Sequence, residues 1–222
     1  MILKERPSPN HDARPADGVV DMLVLHYTGM QSAEAALDRL CDPAAAVSAH
    51  YLIEENGTLW RLVREDRRAW HAGVAFWRGN CDINARSIGI ELVNPGHEFG
   101  YRPFPKAQMQ TLAMLARDLT GEYLIPARNV VGHSDVAPTR KQDPGELFDW
   151  RQLAASGVGL WPGFDTDPTA DVTELLRRIG YAAGDALSDD VMAFQRHWLP
   201  GKLSGEVCAE TLRRLQAVAD LL

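Results

Sequence analysis

Three residues with metal-ligand chemistry stand at telling places in this chain. His26 and His133 each follow a short apolar run rich in β-branched residues, and Asp143 comes ten residues after the second histidine. Lys141 lies two residues before the aspartate, in a loop punctuated by Pro138 and Pro144. Two imidazoles and one carboxylate suffice to hold a hydrolytic zinc ion, because three protein ligands leave a fourth position open for the attacking water. Zinc in such a set brings that water's pKa towards ~7 and polarises a scissile carbonyl. The spacing carries no HExxH signature, and a histidine at a strand end, taken singly, is more often satisfied by hydrogen bonds than metallated. Glu91, at the end of another apolar run, reads either as a rim carboxylate or as a catalytic base.

The elements that must position these groups are legible in the hydropathy pattern. Val19–Leu25, interrupted only by Asp21, suits a buried strand that delivers His26-Tyr27-Thr28 to its end. Ser32 is placed to cap a helix over Ala33–Leu40. The runs His50–Glu54 and Thr58–Val63 flank Glu55-Asn56-Gly57, a strong hairpin signal. Ser87–Val93 reads as a strand. Pro105 opens a helix over Lys106–Thr120, with Gly121 as its stop. Val130-Val131 is a short strand that runs into His133, and the first residues, to about Arg14, read as an extended arm. Strands alternating with helices predict an α/β catalytic domain over residues 1–160, a mixed sheet flanked by helices.

After that the composition changes. Trp161–Pro168 is a Pro-, Gly- and Asp-rich linker. Beyond it, Val172, Leu175, Leu176 and Ile179 form one helical stripe. Leu187, Val191, Phe194 and Trp198 form a second, and Leu212, Leu215, Ala219 and Leu222 a third. Residues 168–222 therefore read as a small three-helix domain.

Composition narrows the classes of function. Hydrophobic residues at 45% and charged residues at 24% fit a globular chain with ample core material. Acidic residues outnumber basic ones, 30 to 23, and no basic run is longer than a pair such as Arg67-Arg68, which argues against nucleic acid as partner. No apolar stretch approaches the ~20 residues of a membrane span. Met1–Pro7 lacks the apolar core and small-residue cleavage site of a secretory signal. Three cysteines without CxxC spacing argue against a disulfide framework. Together these features predict a cytoplasmic protein, or a periplasmic one if a leader has been trimmed from the sequence.

Six blocks in order then carry a resemblance: Leu25-His26-Tyr27-Thr28, Val47–Ile53, Trp70-His71-Ala72-Gly73, Asn84–Glu91, Gly132-His133-Ser134-Asp135 and Arg140–Gly145. Over about residues 19–153 the chain resembles the zinc-dependent N-acetylmuramoyl-L-alanine amidases of the AmpD/AmiD type, which share a fold with T7-type phage lysozyme and the peptidoglycan recognition proteins. The resemblance implies that His26, His133 and Asp143 bind zinc, that Glu91 activates the attacking water and that Lys141 stabilises the tetrahedral oxyanion. It also makes His71, Asn84 and Arg86 candidates for touching substrate. Asp143 stands where the phage and recognition-protein branches carry cysteine, as in the bacterial branch, and Ala49 replaces the phage tyrosine, leaving the base role to Glu91. The expected substrates are peptidoglycan fragments, in particular 1,6-anhydro muropeptides met during wall recycling. The rival reading is a recognition module that binds muropeptide without cutting it.

Other residues read more plainly. His50 suits a packed, hydrogen-bonded core position, and His11, His97 and His197 read as surface residues. Trp60, Trp70 and Trp77 suit either sugar stacking or burial. Ile179-Gly180-Tyr181, Val191–Trp198 and Ser204-Gly205 to Thr211-Leu212 resemble the three-helix peptidoglycan-binding domain appended to many wall hydrolases, with Cys208 where that pattern usually has aspartate.

Overall fold

The computed structural model describes residues 3–222 of the 222-residue chain. The elements run β1 (Leu3–Glu5), β2 (His11–Ala13), β3 (Met22–Tyr27), α1 (Ala33–Cys41), β4 (Tyr51–Ile53), β5 (Leu59–Arg61), β6 (Arg67–Ala69), α2 (Ile83–Arg86) and β7 (Ser87–Leu92). They continue with α3 (Gly96–Phe99), α4 (Lys106–Glu122), β8 (Val130–Gly132), α5 (His133–Val136), α6 (Trp150–Ala155), α7 (Val172–Ile179), α8 (Leu187–Trp198) and α9 (Ala209–Ala219).

The main sheet has the order β1-β5-β4-β7-β3-β8. Every neighbouring pair is parallel except the β4–β5 hairpin, so the sheet is mixed, as the sequence pattern predicts. Central strands β3 and β7 are nearly continuous apolar runs because helices cover both faces. Alternation along them divides the core. Leu23 and Leu25 of β3, with Ile88, Ile90 and Leu92 of β7, pack against Met109, Leu112 and Leu119 of α4. Met22 and Val24 point the other way, into a cluster with Ala72, Trp77 and Val131 that also takes in Leu175, Ile179, Phe194 and Leu215 of the C-terminal helices.

Local signals act where expected. The Ser32 hydroxyl accepts from the Ala35 N–H at the start of α1. Helix α4 differs at its end: it runs through Gly121 to Glu122, since the apolar face of the helix stays packed to Leu119 and the glycine faces no neighbour within 4 Å. The N-terminal arm is not loose. β1 extends the sheet beside β5, β2 pairs with β6, and the Arg14 guanidinium donates to the carbonyls of Asn84, Ala85 and Ser87. Strand β8 closes at Gly132, so His133 opens a single helical turn rather than ending the strand.

Candidate active site

Strand register brings the chemistry together. His26 is paired with Glu91 across β3 and β7, and Leu25 with Gly132 across β3 and β8, which sets His133 beside His26. All three groups therefore emerge at the carboxyl edge of parallel strands, where open α/β sheets place ligands. Asp143 arrives on the loop after α5, whose chain is tied back by the Ser134 N–H donating to the Asp143 carbonyl at 2.8 Å. Nδ1 of His26, Nδ1 of His133 and Oδ2 of Asp143 form a triangle with sides of 2.9, 3.0 and 3.0 Å, and all three residues are buried.

The hydrogen bonds behind that triangle assign its tautomers. The Ser87 hydroxyl donates to the Ile83 carbonyl, so its oxygen accepts from Nε2–H of His71 at 3.1 Å. Nδ1 of His71 is then an acceptor, and Nε2–H of His26 donates to it at 3.1 Å. Nε2–H of His133 donates to the Ala72 carbonyl at 3.0 Å. In their neutral rings both Nδ1 atoms thus present lone pairs towards a carboxylate oxygen. Burial, helped by His133, lowers the His26 pKa to about 4 and keeps that ring neutral.

Three acceptors facing one another at this distance lack a donor between them and call for a cation. Their separation is close to the ~3.3 Å edge of a tetrahedron with bonds of ~2 Å, the geometry of zinc with nitrogen and oxygen ligands. The residues therefore fit zinc. Among the described residues, His26, His133 and Asp143 form the one such group.

The triangle opens into a cleft of about 420 Å³ whose wall includes Glu91, Lys141, Trp70 and Arg140. Glu91 is partly buried, and its Oε2 is sealed from solvent with no hydrogen-bond partner among the described residues. Burial and the neighbouring charge of Asp143 push its pKa well above the usual value, against a smaller opposing pull from Lys141. A carboxylate raised in this way takes up a proton more readily than an ordinary one.

The expected substrate contacts fare differently. His71 stands behind His26 as its hydrogen-bond partner, 9% exposed, and forms part of the cleft lining. The Asn84 side-chain oxygen accepts from the backbone N–H groups of His71 and Ala72, so it pins the loop that carries His71, beside a shallow recess adjoining the cleft. Arg86 lies at the opposite end of β7 from Glu91, about 16 Å away at ~3.3 Å per residue. There its Nε donates to Asp21 at 2.8 Å, a pairing that engages the guanidinium away from the cleft. His50 is a core histidine as expected, its Nδ1 accepting from the Gly89 N–H. His197 corrects the surface reading: it is 3% exposed, stacked on Trp150 and bonded to Asp135. Trp77 is buried.

Two groups escaped the sequence reading. Gly89 lets the His71 ring lie against β7, since a Cβ there would stand 2.5 Å from its Cγ. An isolated glycine inside an apolar strand was the available signal. The buried Asp135, which accepts from Tyr181 and His197, had no signal, because its partners lie 46 and 62 residues away.

Fold and site together define a hydrolase of the peptidoglycan amidase class. Residues 16–146 match the N-acetylmuramoyl-L-alanine amidase family model. The chain belongs to this family. It is 40% identical to N-acetylmuramoyl-L-alanine amidase AmiD of Escherichia coli K12, over 91% of this chain and 82% of that protein. It is 38% identical to the 1,6-anhydro-N-acetylmuramyl-L-alanine amidase AmpD of Enterobacter cloacae, over 67% of this chain and 87% of that one. Among solved structures, AmpDh3 of Pseudomonas aeruginosa in complex with anhydromuramic pentapeptide superposes with a TM-score of 0.82 at 33% identity, covering 94% of this chain and 95% of its own. No helix of the described residues is long and apolar enough to cross a membrane.

Proposed function

We propose that the chain hydrolyses the amide between the lactyl group of N-acetylmuramic acid and the L-alanine of the stem peptide, with 1,6-anhydro muropeptides of wall recycling as substrates. The observation that carries this reading is the buried triangle of His26, His133 and Asp143 beside the unpartnered Glu91, at the floor of an open cleft. Relatives named for the 1,6-anhydro substrate support the choice of sugar.

His26, His133 and Asp143 would hold zinc, which when bound supplies Lewis acidity to polarise the scissile carbonyl and acidify the attacking water. Glu91 Oε2, free of other partners, accepts the proton of that water and returns it to the departing amine of L-alanine. Lys141, on the cleft wall, sets its ammonium against the carbonyl oxygen as negative charge develops there. Trp70 and Arg140 line the same wall and bound the space for the sugar. Cys41, Cys81 and Cys208 are all free thiols, which suits a reducing, cytoplasmic site of action.

The test is mass spectrometry of anhydro and reduced muropeptides together, incubated with zinc-loaded protein and with Glu91→Ala. Free stem peptide from the anhydro form, lost in the variant, is the expected result. Cleavage of both forms would keep the chemistry and remove the sugar preference. No peptide from either form, with zinc bound, would leave the recognition module.

A further inference from the structure

The two segments that carry His133 and Asp143 are short and weak by themselves. Helix α5 is one turn of four residues, far below the length at which a helix sustains itself. The Asp143 segment is an irregular loop that runs on to Asp149 before α6. Neither can hold a ligand atom to a few tenths of an ångström unaided. What holds them comes from helix α8 and the turn before it.

Asp135, two residues after His133 and 1% exposed, accepts three hydrogen bonds. The Gly132 N–H donates to its Oδ2 at 2.7 Å and closes the turn around His133. The other two donors come from the C-terminal helical unit: His197 Nδ1–H to Oδ2 at 2.7 Å and the Tyr181 hydroxyl to Oδ1 at 2.5 Å. A carboxylate this deep is tolerable only when its lone pairs are satisfied, so Tyr181 and His197 are obligatory partners of the turn. The next residue back along α8, Arg196, is 8% exposed, and its Nε faces Glu146 at 3.7 Å, three residues after Asp143. Adjacent residues of one helix thus meet both ligand-bearing segments, His197 by a hydrogen bond and Arg196 by a longer charge pairing without one. Stacking of His197 on Trp150, ring centroids 3.7 Å apart, fixes that helix against α6.

We propose that Tyr181, Arg196 and His197 are positioning residues of the metal centre, with α8 acting as a clamp that holds His133 and Asp143 at ligand spacing. On this reading the C-terminal helices serve the active site directly, instead of being an independent wall-binding appendage. The inference rests on the zinc reading above. Partners that orient a ligand typically change metal affinity or activity by about 10- to 100-fold when removed.

The experiment measures zinc affinity of the full chain by competition with a chromophoric chelator. Wild-type protein that takes up no zinc would overturn the metal reading itself and is seen before any variant is compared. The double variant Tyr181→Phe, His197→Phe keeps both rings and their packing but removes both donors. It is expected to bind zinc at least tenfold more weakly and, when saturated with zinc, to lose kcat with little change in KM. His197→Asn, which returns an N–H near the position of Nδ1, is expected to restore affinity to within about twofold of wild type when paired with native Tyr181. Val218→Ala, a buried truncation in α9 away from Asp135, is expected to lower the melting temperature and leave zinc affinity unchanged. If the double variant folds poorly, Tyr181→Phe alone decides. Wild-type zinc affinity in the donor-less variants, or an equal loss in Val218→Ala, would overturn the clamp.

Discussion

The imidazole of His71 stands directly behind that of His26, Nδ1 to Nε2 at 3.1 Å, and rests on β7 at the one position of that strand without a side chain, Gly89. On the proposed zinc reading, that relationship makes His71 an orienter of His26. His71→Ala is expected to weaken zinc binding by about 10- to 100-fold. His71→Asn, which keeps an acceptor, should do less. Gly89→Ala drives a methyl into the ring and into a closed strand layer, at a cost of roughly 1–3 kcal/mol. Zinc titration and thermal unfolding of the three variants check these outcomes, and equal zinc affinity in all would sink the assignment.

Glu91 combines a sealed, unpartnered oxygen with a pKa pushed up by burial and by Asp143. Glu91→Gln keeps the shape and removes the proton acceptor. The expected result is a kcat lower by about 10²–10⁴-fold. Zinc content should stay at the wild-type level and the melting temperature should be unchanged or higher, because a carboxylate that is costly to ionise has gone. A variant with wild-type turnover would remove Glu91 from the base role.

Arg86 offers the opposite case. Its guanidinium is paired with Asp21 at the strand end remote from the cleft. Arg86→Ala is therefore expected to cost about 1 kcal/mol of stability and to leave KM for muropeptide unaltered. Steady-state kinetics beside a urea melt separates the two; a raised KM with intact stability would return Arg86 to the substrate.

His50 predicts a pH dependence of folding. Burial, together with the nearby Arg14 charge, lowers its pKa to about 3 from an ordinary value of 6.5. The unfolded chain therefore takes up the proton first. The contribution of His50 is complete above pH 6.5 and declines as pH falls from 6.5 towards 3, by at most ~1.4 kcal/mol per pH unit. His50→Asn, which retains an acceptor for the Gly89 N–H, should flatten this decline. Unfolding free energies at pH 7, 6, 5 and 4 for both proteins test it, and parallel curves would refute the assignment.

Much of the catalytic half was readable from the chain. The apolar runs of β3 and β7, the hairpin at Asn56-Gly57 and the Ser32 cap are local consequences of side-chain period and backbone preference. The proposed ligands His26, His133 and Asp143 and the proposed base Glu91 were legible as types at strand ends and in a proline-punctuated loop, and the motif blocks around them marked the family. What the sequence by itself determined is thus the set of chemical groups and the elements that bear them. Only the tertiary structure decided their partners. Pairing of His26 with Glu91 depends on register between strands 65 residues apart, counted from residue 26 to residue 91. His197 was misjudged because its ring reads as available in the sequence; its hydrogen-bond partner Asp135, like the Asp21 that pairs with Arg86, is brought to it by folding alone. A buried polar group is defined by what satisfies it, and that partner comes from whichever distant segment packs alongside.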